Sequence, residues 1–285
     1  MNNIPQINFN KKQNIGFELI SLEKLIIKLN KPINHNPFLP HRLNFFAILI
    51  ISDGEVNHSV DLKNYHLRAG DVMVISKGQI HAFDQNSQYK GYLVLFTEAF
   101  MQKYIAQSTI IKVTHLYNYF IGQEIISNPD NNQMMIETIK NELNIPSPSL
   151  PNIIGALLSI YLLRLNDNNI NSTMQIDNRS LKLFNAFKTL VEERFTKTRN
   201  AKVFASIMSI SYKHLNEVCK IIVNMTAKAF IDNYVTLEAK RKLITTSLSV
   251  KEISFSLGFD EPTNFLKYFK RQTNLSPAEF RKKLL

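Results

Sequence analysis

The sequence predicts an α+β protein of two domains: an N-terminal antiparallel β-barrel with appended helices, then an all-α C-terminal domain in which a long helix joins two helix-turn-helix motifs. Three observations carry this. Short apolar runs punctuated by turn residues occupy residues 17–96. From Arg179 onward apolar residues recur at helical spacing, with no strand candidate. Between these regions Asn166-Asp167-Asn168-Asn169-Ile170-Asn171-Ser172-Thr173 is polar and aperiodic, as a linker is. The expected boundaries are residues 1–165, 166–179 and 180–285.

In the first region Phe45-Phe46-Ala47-Ile48-Leu49-Ile50-Ile51 is a continuous apolar run followed by the turn-forming Ser52-Asp53-Gly54. Ala69-Gly70-Asp71 is a second turn, leading into Val72-Met73-Val74-Ile75 and then Lys77-Gly78. Tyr92-Leu93-Val94-Leu95-Phe96 is a further strand. Several short strands spaced by turns make a small sandwich or barrel. After Thr97 the period changes. Residues 98–105 read as a short helix, and residues 134–143 and 152–165 as two amphipathic helices separated by Pro146, Pro148 and Pro151. This helical hairpin has an apolar face to seat against the barrel, to pair with a second subunit, or both.

Composition narrows the class. Over 285 residues, 45% are hydrophobic and 20% charged, ordinary values for a soluble globular protein. The single cysteine, Cys219, excludes an internal disulfide and a Cys-based zinc site. The opening Met1-Asn2-Asn3-Ile4-Pro5-Gln6 has no basic or apolar signal region, and the apolar stretch from Ile153 to Leu165 is broken by Arg164 and too short for a membrane span. A soluble, cytoplasmic protein with no membrane partner is expected. The net charge of +11 is concentrated: residues 180–285 hold 19 Lys and Arg against 9 Asp and Glu, and residues 1–179 hold 15 against 14. A folded domain with that excess suits a polyanion.

The first motif runs from Ala201 to about Ile222. Residues 201–208 form its supporting helix, with Val203, Phe204 and Ile207 expected inward; Ser209-Ile210 turns the chain and Ser211 caps the next helix. There Leu215, Val218, Cys219 and Ile222 fall at i, i+3, i+4 and i+7, one buried stripe. The opposite face presents Lys213, Asn216, Glu217 and Lys220, groups suited to phosphates or base edges. The second motif runs from Ser249 to about Gln272. Ser249 caps a helix containing Ile253 and Leu257, Gly258 ends it, and Phe259 turns inward. Glu261-Pro262 opens the next helix, where Pro is tolerated at the first position. Phe265 and Phe269 form its buried stripe, with Thr263, Leu266, Lys267 and Lys270 outward. An outward Leu266 suits a thymine methyl. Residues 227–246 read as one long helix holding the motifs at a fixed separation.

The segment Thr226-to-Arg281 resembles the AraC/XylS-type bacterial regulators. The telling pieces are Leu237-Glu238-Ala239-Lys240-Arg241-Lys242-Leu243, Val250-Lys251-Glu252-Ile253, Leu257-Gly258-Phe259, Asn264-Phe265-Leu266-Lys267-Tyr268-Phe269-Lys270-Arg271 and Leu275-Ser276-Pro277-Ala278-Glu279-Phe280-Arg281. Asn224 and Asn274 replace the family's usual Gly, and Ser254 its usual Ala; Asn tolerates the left-handed conformation, so both turns should survive. Leu67-Arg68-Ala69-Gly70-Asp71-Val72-Met73-Val74-Ile75, with Gly78 and His81, and Pro40-His41-Arg42-Leu43-Asn44-Phe45-Phe46, resemble the cupin-like arm of the same regulators. The resemblance implies a sequence-specific transcriptional regulator that places its two motifs in successive major grooves, about one duplex turn (~34 Å) apart. It implies base contacts from Lys213, Asn216, Glu217, Pro262, Thr263, Leu266 and Lys267, and phosphate contacts from Tyr212, Lys220, Lys270 and Arg271. Double-stranded promoter DNA, a small effector in the barrel, RNA polymerase and a second copy of the chain are the implied partners.

His35, His41, His58 and His81 raise a metal-cupin reading. Such a site needs two closely spaced histidines and a glutamate from one strand, yet Leu43 stands two residues after His41 and no carboxylate follows soon after. His41 and His81 are therefore expected as polar residues near the barrel mouth, touching an effector. No metal, cofactor or catalytic set is expected, and Cys219 belongs to a core stripe. Two alternatives stay open: a cupin enzyme with an accessory helical domain, and a constitutive regulator whose N-terminal half only dimerises.

Overall fold

A computed structural model describes residues 4–9, 15–29, 36–84, 89–117, 125–127, 129–168 and 177–284. The chain divides into two compact units, Pro5–Thr173 and Met174–Leu285. His35 and most of the expected linker, residues 169–176, lie outside the described residues. The linker's outer positions are helical: one helix extends through Asn168 and the next starts at Asn178.

Among the described residues the first unit is a curled sheet of nine strands: β1 (Gln6–Ile7), β2 (Phe17–Ser21), β3 (His41–Leu43), β4 (Phe46–Val60), β5 (Lys63–Arg68), β6 (Asp71–Ile75), β7 (Ile80–Ala82), β8 (Tyr89–Phe96) and β9 (Ile125–Ser127). Apart from the parallel β1–β3 pair, the ladders are antiparallel. β4 organises them. Its first half pairs with β6 and β8, and its second half with β5 and β7. Ser52-Asp53-Gly54, expected as a turn, lies inside this strand; the register shifts between Ile51 and Asp53, so the extra residue is absorbed as a bulge that bends the strand. The chain reverses instead at Asp61-Leu62, both at positive φ (47° and 70°). The Asp61 carboxylate accepts from Ile80 N (3.1 Å) and Gln79 Nε2 (3.0 Å), tying that turn to the start of β7.

The continuous apolar run has a simple cause: both faces of β4 are covered. Ala47, Leu49 and Ile51 point into the barrel with Val56, Leu67, Met73, Ile75, Leu93 and Leu95. Ile48 and Ile50 point outward with Val72, Val74, Val94 and Phe96, under a helical layer. That layer is α2 (Glu98–Tyr104), α3 (Gln107–Lys112), α4 (Pro129–Leu143) and α5 (Leu150–Asn168). Ile139, Ile154, Leu158 and Leu162 bury against the sheet, so the hairpin's apolar face seats on the barrel, leaving Met134 and Ile160 about half exposed. Gly155 lets α5 approach the end of α2 closely, since a Cβ there would lie 2.4 Å from the Tyr104 carbonyl oxygen. Another helix, α1 (Leu22–Leu29), interrupts the region expected to be all strand. The Ser21 hydroxyl accepts from Lys24 N at its start, an N-cap hidden among apolar neighbours.

The second unit is helical: α6 (Asn178–Arg194), α7 (Ala201–Ile207), α8 (Tyr212–Val223), α9 (Ala227–Thr245), α10 (Val250–Ser256), α11 (Pro262–Thr273) and α12 (Pro277–Leu284). Asp177, Asn200, Ser211, Thr226 and Ser249 each cap a helix through a side-chain oxygen. Phe184, Phe187, Phe204 and Phe230 form its aromatic centre, with ring centroids 5.1–5.8 Å apart. At the end of α9, Arg281 donates to the carbonyls of Leu243 (2.8 Å) and Leu248 (2.7 Å). Among the described residues, no helix is long and apolar enough to cross a membrane.

Candidate nucleic-acid interface

Two helix pairs, α7–α8 and α10–α11, end their first helices alike. At the end of α7, Ile210 N donates to Ala205 O and Ser209 N to Ser206 O; at the end of α10, Phe259 N donates to Ser254 O and Gly258 N to Phe255 O. Both are Schellman closures around one left-handed residue, Ser209 (φ 55°) and Gly258 (φ 78°). The second helices end alike too, on left-handed Asn224 (φ 51°) and Asn274 (φ 60°), as their tolerance of that conformation led us to expect. Ser254 is fully buried, with its hydroxyl bonded back to the Lys251 carbonyl at 2.7 Å.

The buried stripes hold as expected. Leu215, Val218, Cys219 and Ile222 are buried on α8, and Phe265 and Phe269 on α11, joined there by Tyr268. Burial raises the Cys219 thiol to about 12, so it is a core group and no nucleophile. On the supporting helix α7 only Phe204 of the expected trio is inward. Val203 and Ile207 are about 40% exposed, and Ala201 and Ala205 take the inward positions, because small side chains let α7 lie close to its neighbours.

On the outward faces Lys213, Glu217 and Lys220 of α8 are exposed and Tyr212 is half-buried. On α11 Thr263, Leu266, Lys267, Lys270 and Arg271 are exposed and Pro262 is half-buried. Asn216 has a structural partner as well. It is half-buried, and its Oδ1 accepts from Ala227 N at 2.9 Å, closing the first turn of α9, so one lone pair of that oxygen is committed to the fold.

A chain of contacts links the two second helices through the start of α9. Asn216 of α8 holds Ala227; one turn on, Asp232 takes Lys228 Nζ at 2.6 Å and the Tyr268 hydroxyl of α11. The single proton of that hydroxyl is shared with the Asp232 carbonyl, the nearer acceptor at 2.9 Å. Tyr268 packs on Phe259, and Phe259 carries the Arg199 guanidinium 3.7 Å above its ring. Arg199 Nη2 donates to the Gly258 carbonyl at 2.7 Å. A Cβ on Gly258 would meet the Thr196 carbonyl oxygen at 1.9 Å, so the approach to α7 lies directly on the turn of the second pair. Sequence reasoning missed Arg199, because its partners lie 59 residues away.

In the first unit His41 and His81 are not at an open mouth. Each is about 3% exposed, and they face one another across the β3–β7 pair with ring centroids 4.3 Å apart. His58, fully buried, joins them, its Nε2 3.2 Å from His81 Nδ1, with Phe83 against both rings. Burial, aided by His41, lowers His58 to about 3. Among the described residues no group of His, Cys, Asp or Glu is arranged to hold a metal ion. An open cavity of about 830 Å³ lies elsewhere in this unit, between residues that include Phe9, Asn44, Lys77, Glu98, Lys103 and Tyr104.

Residues 204–283 match a family model described as a helix-turn-helix domain, and residues 33–120 match one described as an AraC-like ligand binding domain. The chain belongs to the AraC/XylS family of transcriptional regulators. Among relatives of this regulator, the Msm operon regulatory protein of Streptococcus mutans is 24% identical over 84% of each chain. The HTH-type transcriptional activator RhaS of Escherichia coli is 20% identical over 86% of this chain and 87% of its own. The structure of ToxT from Vibrio cholerae aligns with 95% of this chain and 99% of that one, at 13% identity and a TM-score of 0.45. This AraC/XylS-type chain is a DNA-binding transcriptional regulator.

Proposed function

We propose that α8 and α11 enter successive major grooves of promoter DNA. Lys213, Glu217, Pro262, Thr263, Leu266 and Lys267 then meet base edges, while Tyr212, Lys220, Lys270 and Arg271 hold phosphates. Asn216 is left to its structural bond. The observation that carries this reading is the pairing of one buried stripe with one exposed, Lys-bearing face on each of two helices tied to α9. Residues 180–285 act as the DNA-binding domain and 1–165 as the regulatory domain, joined by 166–179. A small effector occupies the 830 Å³ cavity, a size suited to one metabolite. The half-exposed Met134 and Ile160 favour pairing of two copies through α4 and α5. The bound regulator meets RNA polymerase in the cytoplasm, where its DNA is.

Two measurements test this. Lys213→Ala and Lys267→Ala should weaken an enriched duplex at least tenfold more than random DNA; equal loss on both would reduce these lysines to phosphate contacts. Affinity for that duplex should change at least fivefold with one member of a metabolite panel, and constancy across a broad panel would overturn the effector.

A further inference from the structure

A second basic feature adjoins the first DNA-facing helix. A concavity of about 410 Å³ opens where the Thr198–Asn200 approach and α7 meet the first turns of α8 and α9. Arg199, Lys202 and Lys228 bring three cations to its lining, with the hydroxyls of Thr198 and Tyr212. Two of these groups are already engaged: the Asn200 amide oxygen takes Lys202 N, and the Thr198 hydroxyl takes Asn200 N. Asp232, itself nearly buried, pairs with Lys228 at 2.6 Å, and Asp260 and Asp232 both lie near enough to Arg199 to act on its charge. Lys202 is exposed and pairs with no carboxylate among the described residues. Arg199 spends Nη2 on the Gly258 carbonyl, while its buried Nη1 finds no hydrogen-bond partner.

The concavity is therefore cationic and lies at the end of α8 that carries Tyr212 and Lys213. A recognition helix in a major groove has sugar–phosphate strands on both flanks, and contacts to them come from side chains beside its end. We propose that this concavity holds one backbone phosphate flanking the first groove contact, with Lys202, Lys228 and Tyr212 donating to its oxygens. A phosphate fits better than a carboxylate, because donors converge from three elements onto one site and a tetrahedral anion accepts from several directions. The inference rests on DNA binding by α8, and its test separates the two.

The probe is a duplex enriched from a random pool by the full-length protein. Lys202→Gln removes an exposed cation and should leave thermal unfolding unchanged. Its affinity should fall about tenfold on the enriched duplex and on unrelated DNA alike, and the slope of log K against log salt should shrink by about 0.9. Lys228→Gln should do the same, with unfolding followed in parallel because it also releases Asp232. Single methylphosphonate replacements then locate the phosphate. One position beside the first half-site should weaken the wild type and cost Lys202→Gln clearly less, whereas every other position costs both proteins the same. Unchanged slopes in both variants, or additive losses at every replacement, would overturn the site. Inorganic phosphate that fills the concavity without competing with DNA would do so as well. A pool that yields no enriched duplex would instead overturn DNA binding by α8, and the site with it.

Discussion

At the scale of single residues, Asn216 shows how an outward-looking position can belong to the fold. It sits on the face of α8 that should read DNA, but its amide oxygen completes the start of α9. Asn216→Ala leaves the Ala227 N–H without that acceptor, at a cost of about 1–2 kcal/mol. The expected outcome is a Tm several degrees lower, with base preference and salt slope unchanged. A variant that keeps its Tm and loses discrimination at one base pair would return Asn216 to base reading. Helical periodicity made the face legible but could not reveal this bond, because the partner belongs to another helix, 11 residues on. His58 is the same case in the first unit. Its neighbours His41 and His81 were visible as residues, whereas burial is decided by strand pairing across the barrel.

At the scale of elements, the two helix-turn-helix pairs were almost fully legible, because caps, stripes and turn residues are local signals. Ser211, Ser249, Gly258, Asn224 and Asn274 all act where spacing placed them. The errors arose where one pattern suits two environments. Val203 and Ile207 have helical spacing but lie outward, and Ser52-Asp53-Gly54 has turn composition but forms a bulge within β4. The matching closures of α7 and α10 give a paired prediction. Gly258→Ala combines strain at φ 78° with a clash against Thr196 and should cost about 3 kcal/mol or more by urea unfolding. Ser209→Gly relieves a left-handed serine and should gain up to ~1 kcal/mol. Equal, small effects at both positions would show that the closures do not control these turns.

At the scale of the whole molecule, the two units should respond differently to acid. His58 is held near 3 in the folded first unit, against about 6.5 when unfolded. Between those values the unfolded chain binds more protons, so stability rises with pH across that window. The contribution is complete above about pH 6.5 and is lost as the solution is acidified toward 3, by at most ~1.4 kcal/mol per pH unit. Urea unfolding of the full chain at pH 7.5 and 5, followed through its β signal, should show the barrel weakening, and His58→Gln should flatten the trend. An identical slope in that variant would assign the acid sensitivity to other groups. The ring of contacts from α8 to α11 has a practical corollary for anyone excising the DNA-binding part. A fragment trimmed to residues 204–283, the span of the recognised domain, would discard Phe184, Phe187, Thr196 and Arg199. It would expose Phe204 and Phe230 to water and leave the second turn unsupported. Cloning from ahead of Asp177 should yield material that stays in solution, and the shorter piece should precipitate.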